Sequence, residues 1–388
     1  MQFDRARKFS RMVIARSGLA FIGAMGIVSI APAALAQAPA APKKPEFPTI
    51  RKTQLATIDR NNVEAWINAQ IQQMFAQQDD AALQTQGREF YEAIAQSVKA
   101  GDATAEFREG VATILADSFV AQYPKAPSDR RPLAVVYPLM ALNAAVQQPT
   151  PKMIQAFTMA LSEPTPGGRL LGVSGLLTLQ KNLNQQQWTE LLPVLQKTGA
   201  AETSGPVLAR IYRLLALPAN APVDPVPAVL AILDARLSRL DQKQGWPVAA
   251  DAVAIKWLGE RMAGMSPELQ NRATLAIARL MTDAVYAYVS KPGDEILVDL
   301  EKVVLAAEKQ LTAVVTRRAP NAKVPSPTLA AAMLDSGPGQ KDSTLLALNK
   351  WIGTAQQPGV LNQAPFNFEP GLKVPPPAAA AVADTPAP

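Results

Sequence analysis

Apolar residues recur three and four positions apart through almost the whole middle of this 388-residue chain, and the segments they mark end at proline, glycine or asparagine. That spacing belongs to a helix with one buried face, while the two-residue alternation of strands is scarce. Helices are predicted over residues 60–77, 80–99, 103–122, 130–147, 151–162, 168–182, 185–198, 205–217, 226–241, 249–263, 267–289 and 294–316, with a short one over 343–353. A longer period overlies the helical one. The segments RPLAVVYPLMAL, RLLGVSGLLTL, VLARIYRLLAL and VAIKWL finish at Leu142, Leu179, Leu217 and Leu258, at spacings of 37, 38 and 41 residues. A period of that length fits a two-helix unit whose apolar face is buried only by the next unit. The expected fold class is therefore all-α, an array of antiparallel helix pairs with disordered termini.

One unit carries a more specific pattern. In MIQAFTMALSEPTPGGRLLGVSGLLTL, a helix ends at Leu161, Glu163 and Pro164 occupy the turn, and Arg169 opens the next helix six residues after the acid. This resembles the acid, turn and arginine of HEAT repeats, with Glu where that family usually has Asp. Pro193 in WTELLPVLQK is similar to the proline that kinks the first HEAT helix by removing an amide donor. The resemblance covers about residues 125–263. It implies a HEAT-like α-solenoid in which Glu163 and Arg169 belong to a ladder between neighbouring repeats. Two features depart from the pattern: Lys125 stands where an acid belongs six residues before Arg131, and Pro138 falls inside a second helix. Tetratricopeptide-like packing or an irregular α–α superhelix therefore remains open. Leu176 and Leu179 share one face and are predicted to form the seam between helices, with Gly172 admitting a neighbouring backbone.

The chain has no histidine and no cysteine. Ser–His–Asp and Cys–His nucleophile systems are excluded, as are zinc, copper and haem sites that need imidazole or thiolate. Carboxylate pairs remain as catalytic groups, which leaves a carbohydrate-active helical enzyme as the alternative function. The obvious pairs, Asp79-Asp80 and Asp294-Glu295, fall at predicted helix starts, where acids cap free amides. No phosphate loop, nucleophile elbow or acid-rich calcium loop is present. No catalytic, cofactor-binding or metal residue is assigned, and no cofactor is expected.

At the N-terminus, five basic residues from Arg5 to Arg16 precede the apolar run Leu19 to Ile30 and then Ala34-Leu35-Ala36. This is the pattern of a secretory signal peptide over residues 1–36, cut before Gln37, with an uncleaved anchor over residues 17–36 as the alternative. The signal implies a periplasmic or secreted address with no membrane insertion after cleavage. Without it, the remaining chain carries 33 basic and 31 acidic residues, so its charge gives no nucleic-acid footprint. Beyond the signal, residues 37–58 read as a Pro/Ala-rich linker and 59–217 as the helical repeat region. Residues 218–320 read as a second helical lobe continuing the array, 321–356 as a loop and short helix, and 357–388 as a disordered Pro/Ala-rich tail. Trp188 and Trp257 lie within apolar periodicity and are expected in the core. Trp246, in the connection Gln244-Gly245-Trp246-Pro247, is the candidate contact residue, because exposed aromatics mark contact sites. The expected function is a non-catalytic scaffold or protein-interaction module of the bacterial cell envelope, with a protein as partner.

Overall fold

Prolines and capping side chains set the helix boundaries. The computed structural model describes residues 42–372, apart from 54, 130, 219, 220, 291, 292, 336 and 338. Its helices are α1 (Phe47–Ile50), α2 (Thr57–Ala76), α3 (Asp80–Lys99), α4 (Ala105–Gln122), α5 (Arg131–Ala134), α6 (Val136–Ala145), α7 (Pro151–Ala160) and α8 (Pro166–Leu179). They continue as α9 (Gln185–Ala201), α10 (Gly205–Leu215), α11 (Val226–Asp241), α12 (Ala249–Arg261), α13 (Pro267–Val289), α14 (Asp294–Arg318), α15 (Leu329–Leu334) and α16 (Gln340–Ile352). Among the described residues there is no strand. The expected signal peptide over 1–36 and the tail beyond 372 lie outside the described residues.

The caps are local and legible. Asp79 accepts from the amides of Ala81 at 2.8 Å and Ala82 at 3.3 Å to start α3. Thr104, Thr150 and Ser266 do the same for α4, α7 and α13, and Asn184 with Gln187 closes a capping box on α9. Asp294 and Glu295 depart from the expectation. They sit in the first turn of α14 behind Gly293, which offers no side-chain cap, so their contribution is to the helix dipole alone.

Alternate helices touch. One series runs α2, α4, α7 and then α9, α11, α13, α16, while the other runs α3, α6, α8, α10, α12, α14, α15. Side-chain pairs fix the directions within each series. Arg272 of α13 pairs with Asp234 of α11, and seven residues further along both helices Arg279 Nη2 meets Asp241 Oδ2 at 2.7 Å, so these helices run the same way. In the other series Arg210 meets Ser174, and Gln180 Nε2 donates to the Leu214 carbonyl at 2.9 Å, so α8 and α10 also run alike. Consecutive helices run back along one another: Gly172 and Gly175 of α8 face Ala160 and Phe157 of α7 in turn, and Arg318 at the end of α14 donates to Asn271 at the start of α13 at 2.8 Å, which makes the fold an all-α array of antiparallel helix pairs.

Burial follows the predicted faces. Leu142, Leu179, Leu217 and Leu258 are all buried, as is Leu176. Gly172 is a close-approach glycine, since a Cβ there would stand 2.7 Å from the Phe157 carbonyl oxygen. Pro193 lies inside α9 with its ring exposed. The helix expected over 130–147 is divided into α5 and α6 at Val135. Pro138 consequently stands in the first turn of α6, where its missing amide would have had no intrahelical partner.

Three boundary expectations are corrected. The linker expected over 37–58 contains α1, whose Phe47 is buried with its ring 5.6 Å from that of Trp66 and 6.3 Å from that of Phe107. The second lobe expected over 218–320 is not separate: the described residues from Pro42 onward form one unit, and the buried Trp257 donates from Nε1 to the Leu217 carbonyl at 3.3 Å. Residues 357–372 are part of the fold, because Leu361, Phe366 and Leu372 are buried against it. The unpredicted α15 is held by Glu308, whose carboxylate accepts from the amides of Leu329 at 2.6 Å and Ala330 at 3.0 Å.

Candidate functional site

Successive helix pairs place an acid at the same point in each unit. Glu163 follows α7, Glu202 follows α9 and Asp241 closes α11, each 39 residues after the last. Arg169, at the start of α8, bridges two of these turns. Its Nη1 donates to the carbonyls of Glu163 at 2.7 Å and Pro164 at 2.9 Å. Its Nε and Nη2 fork onto Glu202 at 2.7 Å and 2.8 Å. Glu163 and Arg169 are therefore together as expected, but the ion pair runs to the acid of the next unit, and the Glu163 carboxylate accepts from Tyr123 Oη of the preceding one. The Arg169–Glu202 pair is also buried, with the Glu202 side chain 0% exposed and Arg169 15%. Burial pushes the Glu202 carboxyl up, but the guanidinium of Arg169 and the amides of Ser204 and Thr203 outweigh it and hold the group below the usual carboxylate range.

The ladder continues through α11. Arg239 Nη2 donates to the Glu202 carbonyl at 3.2 Å, and Asp241 pairs with Arg279. Between α11 and α12, Arg236 forks onto Asp251 at 2.6 Å and 2.7 Å, while Asp251 also accepts from the Val248 amide at 2.9 Å. This pair is buried, and its charges are satisfied internally. Burial and then the neighbouring Asp251 push the Tyr212 hydroxyl well above its ordinary value.

The connection from Gln242 to Val248 folds back through Lys243 and Gly245, whose φ angles are 58° and 107°. It carries Trp246 to the surface. Trp246 is 44% exposed, whereas Trp66, Trp188, Trp257 and Trp351 are buried. Clefts open on either side of it. The larger, about 420 Å³, is lined by Glu202, Arg236, Arg239, Trp246, Glu295 and Asp299. Two of its acids are already engaged: Glu202 with Arg169, and Asp299 with the Ala249 amide at 3.2 Å and Lys302 at 3.3 Å. The smaller, about 370 Å³, is lined by Lys243, Trp246, Pro247, Asp283, Tyr286 and Ser290 among others.

Asp283 distinguishes the second cleft. Its Oδ2 is buried and accepts no hydrogen bond. Burial pushes its carboxyl up to about 7, against the lowering influence of Arg279 and with a further upward push from Asp241. Arg279 does not close on it, because its Nη2 is shared between the two carboxylate oxygens of Asp241 at 2.9 Å and 2.7 Å. Sequence reasoning singled out Trp246 and missed Asp283, which is a lone acid inside the apolar period TDAVYAYV; its only signal was that interruption. Reasoning also missed Glu202 and Asp241, although their 39-residue register matches the leucine period.

Two-carboxylate glycoside chemistry needs an acid and a second carboxylate flanking one bond. Asp283 carries the raised carboxyl, yet no other carboxylate lines its cleft. Among the described residues, no group of three acidic side chains converges to hold a metal ion, and no helix is long and apolar enough to cross a membrane. No protein-family model, curated protein or solved structure matches this chain.

Proposed function

We propose that this protein is a non-catalytic, HEAT-like helical scaffold of the bacterial cell envelope that presents the Trp246 connection to a protein partner. The observation that carries this reading is the use of the charged residues. Those at the turns bind successive units to one another, and the large aromatic at the surface lies on a connection between two clefts. A scaffold spends its ionic groups on stacking and leaves an aromatic anchor for contact. The N-terminal basic and apolar run supports the envelope address.

The test is photocrosslinking in the native envelope from two positions of the full chain, Trp246 and the exposed Ile58. Capture of one discrete protein from position 246 and not from position 58 supports the reading. Equal labelling from both positions, or none from 246, overturns it.

A further inference from the structure

We infer that the cleft walled by Trp246, Tyr286 and Asp283 binds a primary ammonium group carried on an aliphatic stem. The inference rests on the interaction-module reading above and names the chemistry of the contact. The cleft has one acid, Asp283, whose Oδ2 is buried and accepts no hydrogen bond. A buried carboxylate oxygen in that state gains most from a donor that is also a cation. The protein does not supply that cation, since Arg279 is committed to Asp241 and Lys243, although it lines the cleft, makes no ion pair among the described residues.

The aromatic walls suit the same ligand. Trp246 is 44% and Tyr286 51% exposed, and both line the cleft that holds this single acid. Rings in this position attract a cation through their faces and cover a methylene stem with their bodies. An anion is disfavoured by Asp283 and by Asp241 behind it. A neutral sugar would leave the acid without its counter-charge. Both a lysine side chain of a partner protein and a free polyamine carry the required group.

Trp246, the exposed tryptophan, reports on both clefts that it lines, and Asp283→Asn tells them apart because Asp283 lines one of them. The full chain is titrated at about pH 8.5, above the Asp283 transition at about 7, with fluorescence as the readout. The charged groups acting on Asp283 there are Arg279 of α13 and Asp241 of α11, with Lys243 on the cleft wall. The probes are a short lysine peptide, its acetyl-lysine counterpart, spermidine and maltotriose. The expected result is saturable binding of the lysine peptide, spermidine or both. Acetylation of the lysine, Asp283→Asn and Tyr286→Ala should each weaken it by about tenfold or more. Binding of spermidine alone assigns the site to free polyamines, and binding of the peptide alone assigns it to a partner's lysine. The inference is overturned if neither cation saturates, if Asp283→Asn binds as the wild type does, or if maltotriose binds equally well. Failure of crosslinking from position 246 with ammonium binding intact would sink the scaffold reading and leave this site standing.

Discussion

Replacing Asp283 by asparagine should make the protein more stable, and only above a defined pH. The folded environment raises this carboxyl from 3.8 to about 7, so the native state holds the proton more tightly than the unfolded chain does. For an acid shifted upward, the sign of the linkage is that stability is greatest where the group is protonated in both states. It declines as pH rises through the unfolded value of about 4, and the loss is complete above the folded value of about 7. Three pKa units at about 1.36 kcal/mol each place the full loss near 4 kcal/mol, and relaxation around the charge makes about 2–4 kcal/mol the expected range. Asparagine has the shape of the protonated acid and no proton to lose. Urea melts of both proteins, followed by circular dichroism, should therefore nearly coincide at about pH 3, below the unfolded value, and separate by about 2–4 kcal/mol in favour of the variant at about pH 8. If the wild type were the more stable protein at about pH 8, the Asp283 anion would have a counter-charge in solution, and the unpaired reading of the cleft would be wrong.

Other perturbations probe the stacking. Arg169→Ala should cost about 3–5 kcal/mol in denaturant melts, because it leaves Glu202 charged in a buried position, and adding Glu202→Gln should recover part of that loss. A cost of less than about 1 kcal/mol, typical of a surface pair, would show that the pair is open to solvent. Leu176→Ala should cost about 2–5 kcal/mol, since the side chain is buried in the core; a harmless substitution would mean the helix face is wrongly assigned. Glu202 should contribute stability that is present above its unfolded value of about 4.5 and lost as pH falls through its lower folded value. That loss is read by comparing acid melts of wild type and Glu202→Gln, and it overlaps only the acidic foot of the window in which Asp283 acts.

What the sequence made legible was whatever depends on neighbours in the chain. The limits of α3, α11 and α13 follow from Asp79 as a cap, from the breakers flanking α11, and from Ser266 with Pro267. The buried seam at Leu176 and Leu179 follows from spacing alone. Contacts across many residues were beyond that reasoning. A short helix such as α1 has too few residues to display a period, and it is fixed by Phe47 packing on Trp66 and Phe107. The ordered stretch to Leu372 looked too poor in apolar residues to fold, yet three well-placed ones, Leu361, Phe366 and Leu372, are enough when a surface already exists to receive them. The partner of Arg169 was not legible for a related reason. An acid six residues away is visible in one unit, whereas Glu202 becomes visible only when the 39-residue register is laid across two.

That register also separates structural acids from the candidate binding acid. An ion pair between stacked units is worth most when both partners are fixed, and the helix pairs fix them. Glu202 meets Arg169, Asp241 meets Arg279, and Asp234 meets Arg272, each pair linking adjacent members of the array. Glu163 is served by Tyr123 in the same manner. Asp283 sits one turn beyond Arg279 on α13, in the body of the helix, and the ladder that would have supplied its arginine has already placed that arginine on Asp241. A ladder made only for stacking would carry no acid there, because burying an unpaired carboxylate destabilises the fold at neutral pH. The destabilisation falls where Trp246 and Tyr286 reach solvent, in a cleft that a cationic ligand can enter.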